Sequence, residues 1–500
     1  MKILILLFSL IFILTGSFYG EEVDFDATIT INPNKVKHKM AGGIGASWHA
    51  ISKEKIDEDK SYKWALRYIN SRGSSWGGNP PVSDTAAWDQ ILGHAEWLGL
   101  NWIRVEISQR MYEPEKGKFD WDNEEMSALY KILDWCEEHK ADVFLQQMWR
   151  NVKWNSYPEV QPLLSAPRSL KHFSRGLAKL IQYLKIKKGY SCIKWLCITN
   201  EPPGGTWGSW WSMGEKDAPL TPALKAVRKA LDKKKISLPI SGPDWTDTPK
   251  LDPDKIDFDK YLGAYDIHSY SGIDEDKQKI LKDWVKWAKD HNKPFFLSEV
   301  GNMEFGWRNS DPGPTLYNTA ISNVESILRG MDEGVDSFNR WSFTNRGDLD
   351  GQWQLIRTWD MNKKEYLKNV EPEPVPYYGF GIISRFFAKY SEILQTTTSG
   401  DPDIMTQTVR SPGGQLTVYI LNKSNKIKNI EIRLEESNKI DLYLYLITES
   451  GIRKGNFKLD PVEKITFSDA PVKNVKVPAK AVCTLSQYNL EHEDKGIISQ

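Results

Sequence analysis

Apolar and polar positions along the chain fall into two textures, and the change comes near residue 391. Before it, short apolar runs alternate with longer stretches of helical period. The runs are "GGIGASWHA" (42–50), "NWIRVEIS" (101–108), "DVFLQQMW" (142–149), "IKWLCITN" (193–200), "LPISGPDW" (238–245), "AYDIHSY" (264–270), "PFFLSEVG" (294–301) and "GVDSFNRW" (334–341). Between them lie amphipathic segments such as "SALYKILDWCEEHK" (127–140), with Leu129, Ile132, Leu133 and Cys136 on one face. Eight strand–helix units in series predict an α/β fold, a closed (β/α)8 barrel, ending in a helix over 377–391.

Beyond residue 391 the period drops to two. "LTVYILN", "IEIRL", "DLYLYLIT" and "AVCTLSQY" read as strands separated by turn signals such as "SPGG" and "TESG". This predicts a C-terminal antiparallel β-sandwich. "DATITINP" (26–33) alternates in the same way ahead of the barrel and is a candidate member of that sandwich. The expected organisation is a leader over 1–20, an N-terminal strand segment over 21–40, the barrel over 41–391, the sandwich over 392–490 and a tail over 491–500.

The first residues, "MKILILLFSLIFILTGSFYGEE", place one Lys before an apolar stretch and small polar residues after it. That is the layout of a secretory signal peptide, with cleavage expected near Ser17 or Gly20, and the stretch is too short to span a bilayer. The expected location is therefore secreted or periplasmic, with no membrane insertion once the leader is removed. Four cysteines change little. Cys192 and Cys197 sit at opposite ends of one predicted strand, about 16 Å apart at roughly 3.3 Å per residue, too far to bridge. All four read as packing residues, and no Cys/His spacing suits zinc.

Charge excludes one class. With 66 basic and 66 acidic residues the chain has no electropositive footprint for nucleic acid. Nothing in the sequence fixes an oligomeric state.

Barrel active sites lie where the strands end, so the residues at those ends carry the chemistry. The fourth run ends in Asn200-Glu201 and the seventh in Ser298-Glu299. Strict alternation would put Glu201 on the face of Thr199 and Cys197, and Glu299 on that of Leu297 and Phe295, both carboxylates turned to the mouth. Two facing carboxylates are what glycosidic cleavage needs, one to protonate the leaving oxygen and one to attack or to activate water. Arg104 shares a face with Trp102 and Glu106 and is placed to hold the nucleophile ionised. Tyr270 is placed to donate to the same carboxylate, and Trp341 to floor a sugar ring. Trp48 and His49 end the first run and are further candidates for substrate contact. Several of the 21 tryptophans follow strands, among them Trp149, Trp207, Trp211, Trp245 and Trp353. Indoles in mouth loops offer flat faces to sugar C–H groups, so Trp149 and Trp207 are counted as candidate platforms.

"NEP" on the fourth strand and "SE" on the seventh resemble the clan A retaining glycoside hydrolases, over most of residues 40–391. With the side domain, the likeness is greatest to families 30 and 39, with family 5 also similar. The resemblance implies Glu201 as acid/base, Glu299 as nucleophile and Asn200 as ligand of the sugar 2-hydroxyl, with Arg104, Tyr270 and Trp341 as their supports. It implies a carbohydrate substrate with β-linked sugars, and no metal or organic cofactor. One departure stands out: many clan members carry a His at the end of strand three, where this chain has Gln146 and Gln147, and its histidines near the mouth are His49 and His268. A transglycosylase would use the same residues, and a non-catalytic carbohydrate-binding barrel is the alternative from another class.

Overall fold

The structure, a computed structural model, describes residues 24–50, 78–149, 152–160, 165–202, 211, 219–246, 257–270, 275–301, 316–344, 353–360, 362–363, 365–435, 439–468 and 472–498. Strand β1 (Ala27–Lys39) belongs to the side sheet. The next eight build the barrel: β2 (Ile44–His49), β3 (Trp102–Ser108), β4 (Asp142–Trp149), β5 (Ile193–Cys197), β6 (Ser241–Trp245), β7 (Ala264–Ser269), β8 (Phe295–Val300) and β9 (Ser337–Arg340). They pair in parallel in the order β5-β4-β3-β2-β9-β8-β7-β6, and a parallel bridge from Leu196 to Ile240 joins the two ends.

Alternation sets what each strand buries. Outward residues such as Ile103, Val105, Val143, Leu145, Ile267 and Leu297 meet a large core shared with the surrounding helices. Inward residues Trp102, Phe144, Cys197, Ala264 and Phe296 form a separate apolar plug inside the barrel. The helix over Glu124–Glu138 shows why the sequence folds as it does. Asn123 caps it by accepting from the Met126 N–H, Glu124 and Glu125 occupy the electropositive first turn, and Leu129, Ile132, Leu133 and Cys136 are buried against the sheet. The four cysteines are free and buried.

The helix that ends the barrel, Pro374–Ser384, is buried along nearly its whole length because it lies between two bodies. The Thr484 and Tyr419 hydroxyls of the side domain donate to its carbonyls at Ile382 and Ile383. It stops at Ser384 rather than reaching 391. The following segment turns back to seal the barrel floor, where the Tyr390 N–H donates to the Gly42 carbonyl and Lys389 pairs with Asp142.

The side domain is a nine-stranded sheet curled over its own apolar core. To β1 it adds β12 (Glu392–Gly400), β13 (Ile404–Arg410), β14 (Leu416–Asn422), β15 (Lys428–Leu434), β16 (Ile440–Ile447), β17 (Glu463–Phe467), β18 (Val472–Val477) and β19 (Ala481–Ser486). β1 lies inside this sheet, antiparallel to β12 and parallel to β15, so the domain is antiparallel except at that one pairing. A hairpin of β10 (Ile356–Asp360) and β11 (Glu365–Pro372) leaves the barrel after β9. Residues 491–498 dock on the barrel, with Gly496 N–H on the Glu96 carbonyl and Ile497 N–H on that of Arg385. Among the described residues no helix is long and apolar enough to cross a membrane. The leader over 1–20 lies outside the described residues.

Candidate active site

Above the apolar plug, the upper interior of the barrel is filled with charge. Arg104 on β3 is fully buried and acts as its centre. Its Nη1 lies 2.6 Å from Glu299 Oε1 and 2.6 Å from Glu106 Oε1, and its Nη2 donates to Asn200 Oδ1 at 3.0 Å. Glu106 is therefore a partner of Arg104 alongside Glu299, not in place of it. His49 at the end of β2 faces the other oxygen of Glu106 at 2.7 Å and packs its ring 4.9 Å from that of Trp341. Because Asn200 turns Oδ1 toward Arg104, its amide NH2 is directed away from the guanidinium.

Neither glutamate reaches the site by the alternation expected from the sequence. β5 ends at Cys197, and Glu201 stands in a turn with φ +47°, anchored by its N–H on the Asp244 carbonyl at 2.9 Å. On β8, Phe295 and Leu297 face the outer core while Phe296 and Ser298 face inward. The β7–β8 register slips between Ile267↔Leu297 and His268↔Glu299, leaving Ser298 as an extra residue. This bulge turns Glu299 inward directly after Ser298, where a regular strand would turn it out.

Glu299 is then gripped on both oxygens. Arg104 holds Oε1, and the Tyr270 hydroxyl donates to Oε2 at 2.5 Å. Tyr270 is backed by Trp353, ring centroids 5.5 Å apart. Gly301 permits that packing, since a Cβ there would meet Trp353 at 2.6 Å and Tyr270 at 2.9 Å. His268 on β7 sets Nδ1 2.8 Å from Glu201 Oε1 and 3.2 Å from Glu299 Oε2, and one oxygen of each glutamate lies within 4.8 Å of the other. Two carboxylates that close repel by roughly 3 kcal/mol at an effective dielectric of about 20, which the shared imidazole offsets. The Glu201 side chain keeps 19% exposure against 5% for Glu299, so Glu201 is the one that meets solvent.

Burial pushes Glu299 up to about 7, with Glu201 and Glu106 adding to the rise and His268 and Arg104 opposing it. Burial alone would discharge His268, yet Glu299, Asp244 and Glu201 raise it well above the ordinary imidazole range. Burial and the charge of Glu299 raise Tyr270 well above a free phenol. The trio Glu201, His268 and Glu299 has metal-compatible atoms, but its nitrogen already faces carboxylates and the Arg104 cation lies alongside. That is a hydrogen-bonded charge network rather than a chelate.

Other expectations change. Trp48 does not reach the mouth: it points outward from β2, packs on Trp88, Trp135 and Phe343, and donates Nε1–H to Asn79. His49 points inward but is fully buried beneath Trp341, out of reach of a sugar. Trp211 and Trp245 lie in the outer core. Trp341 keeps 7% exposure and flanks the Arg104 guanidinium at 5.9 Å. The side chain of Trp149 and the whole of Trp207 lie outside the described residues. Four residues of the network were not singled out from sequence as site members: Glu106, Asp244, Gln146 and Ser298. A signal existed for Asp244, because Gly and Pro within "ISGPDW" mark an irregular strand.

A (β/α)8 barrel with glutamates at the ends of its fourth and seventh strands is the architecture of a clan A glycoside hydrolase, and the chain is a glycosidase of that class. The family follows from sequence: the model described as Cellulase (glycosyl hydrolase family 5) matches residues 58–347, more than half of the chain, which belongs to that family. Solved structures share the whole architecture. A GH30 endoxylanase from Clostridium papyrosolvens C71 has a TM-score of 0.61 at 11% identity, covering 92% of this chain and 99% of that one. A conserved exported protein from Bacteroides fragilis has 0.62 at 14%, covering 92% and 100%. An α-L-arabinofuranosidase from Thermotoga maritima has 0.60 at 14%, covering 93% and 100%. No curated protein matches the chain by sequence.

Proposed function

We propose that the protein is an exported retaining glycosidase that cleaves β-linked poly- or oligosaccharides by double displacement. The observation that carries this is the close approach of Glu201 and Glu299, with one oxygen of each within 4.8 Å. Retaining pairs stand about 5–5.5 Å apart, and inverting pairs leave roughly 6.5–9.5 Å for a water between them. In the first step Glu299 attacks the anomeric carbon as the C–O bond breaks and Glu201 gives its proton to the departing oxygen. In the second, Glu201 takes a proton from water, the water oxygen bonds to the anomeric carbon, and Glu299 leaves.

The grip of Arg104 and Tyr270 favours the ionised form of Glu299 and fixes its direction of attack. The Asn200 amide is suited to donate to the sugar 2-hydroxyl, and Trp341 to lie against the ring. The family description names cellulase, and similar structures include xylanases and an endo-β-1,6-glucanase, which favours a β-linked glycan. Export rests on the apolar leader between Lys2 and Gly20.

The test is a hydrolysis screen of the full chain and of Glu299→Ala against β-glucans, xylans and mannans and their aryl β-glycosides. The parent is expected to release sugar and the variant about 10⁴-fold less. NMR of the first product should show the β anomer, and an α first product would overturn retention.

A further inference from the structure

One buried carboxylate in the network has no place in that chemistry. Asp244 is fully buried, so it meets no substrate. It arrives by an irregularity in β6: Pro243 pairs with Asp266 and Trp245 with Ile267, which leaves Asp244 opposite no residue, with φ +59°. Asp is among the few non-glycine types that tolerate this conformation.

There it binds on every side. Its Oδ1 accepts from the Ser298 hydroxyl at 2.9 Å and faces His268 Nε2 at 3.1 Å. Its Oδ2 accepts from Gln146 Nε2 at 2.5 Å and lies 3.6 Å from Arg104 Nη2. Its N–H donates to Asp266 Oδ1 at 2.7 Å, and its carbonyl accepts the Glu201 N–H at 2.9 Å. His268 Nε2 thus faces Asp244 and its Nδ1 faces Glu299 as well as Glu201, and the ionised carboxylates of Asp244 and Glu299 only accept. The ring that satisfies all of them carries a proton on each nitrogen.

We propose that Asp244 is a positioning residue of the reaction: it fixes the turn that presents Glu201 and holds His268 in the two-donor form that bridges Glu201 and Glu299. This rests on the catalytic reading of those two glutamates. The electrostatics agree. Burial pushes Asp244 upward, but His268 and Arg104 outweigh it and hold the group below the usual carboxylate range. Burial and the charge of Asp244 push neighbouring Asp266 up to about 8, so at neutral pH the pair carries chiefly one negative charge. The ionisable groups that bear on Asp244 are Arg104, Cys197, Asp266 and His268, and those on His268 are Asp244, Asp266, Glu201 and Glu299.

The experiment is nitrogen NMR of the full chain labelled at histidine, with His268 assigned from a His268→Gln sample. The parent is expected to keep both ring protons at pH 7, and Asp244→Asn to lose one at least about a pH unit lower than the parent. A singly protonated His268 in the parent at pH 7, or an unmoved titration in Asp244→Asn, would overturn the proposal. If Asp244→Asn does not fold, Ser298→Ala removes one donor to Asp244 and should move the same titration by a smaller amount. Kinetics supply a second readout on phenyl and dinitrophenyl β-glycosides. Asp244→Asn should lose about tenfold or more in kcat/KM, which reads formation of the glycosyl-enzyme, on the phenyl glycoside, whose leaving group needs a proton, and far less on the dinitrophenyl one. Equal losses on both would mean a merely structural role. A parent inert on both, with His268 doubly protonated, would strike the catalytic reading and leave the imidazolium bridge standing.

Discussion

The lower and upper interiors of the barrel are built from the same strands and by opposite rules. Below, Trp102, Phe144, Cys197, Ala264 and Phe296 fill the space with apolar volume. Two residues further along the same strands, Arg104, Gln146, Asp266 and Ser298 stand above them, joined by Glu106 and His268. The first layer gains from leaving water. The second loses, because four carboxylates (Glu106, Asp244, Glu201 and Glu299) are drawn together around two cations, Arg104 and His268. The barrel interior thus has a load-carrying end and a reactive end, and each should fail in its own way.

Glu201→Ala should cost about 10²–10⁴-fold in kcat on substrates with poor leaving groups, with the melting temperature unchanged or raised. Calorimetry beside steady-state kinetics checks it, and a drop of many degrees would erase the distinction between layers. Phe296→Ala should do the reverse. It opens a cavity in the plug and should lower unfolding free energy by about 3–5 kcal/mol in denaturant titration, while the pH profile of the surviving activity keeps its shape. The smallest effects sharpen the picture within the upper layer. On the proposed double displacement Glu299 must be ionised to attack, so kcat/KM should rise with pH through about 7, where burial holds Glu299. Tyr270→Phe removes a donor to the ionised form and should move that limb to higher pH. Glu106→Gln removes a like charge and should move it lower. Equal shifts in one direction would show that the limb belongs to another group.

The plug and the outer core were legible in the sequence because they obey a period of two. All eight apolar runs contain the eight barrel strands, and Arg104 faces inward as its alternation with Trp102 requires. The site was legible in identity but not in geometry. Glu201 and Glu299 were found by where their strands end, yet each is aimed by a departure from regular strand: a left-handed turn in one case and a one-residue bulge in the other. Bulges depend on pairing between strands far apart in sequence, so no local pattern announces them. The same limit explains Trp48. A tryptophan at a strand end reads as a sugar platform until the neighbouring helix shows that its face is taken by Trp88.

The place of β1 has a consequence for how the protein is made. Its partners are Gly400 on one side and Ile430 on the other, so an interior strand of the side sheet is synthesised first and must wait for both neighbours. At about 5–20 residues per second, roughly 20–80 seconds of translation separate the strand from its neighbours. The barrel is thus an insertion between two strands of one sheet, and closing that sheet ties its beginning to its end. The side domain works as a clasp: cut at residue 391, it would leave behind the strand that joins β12 to β15.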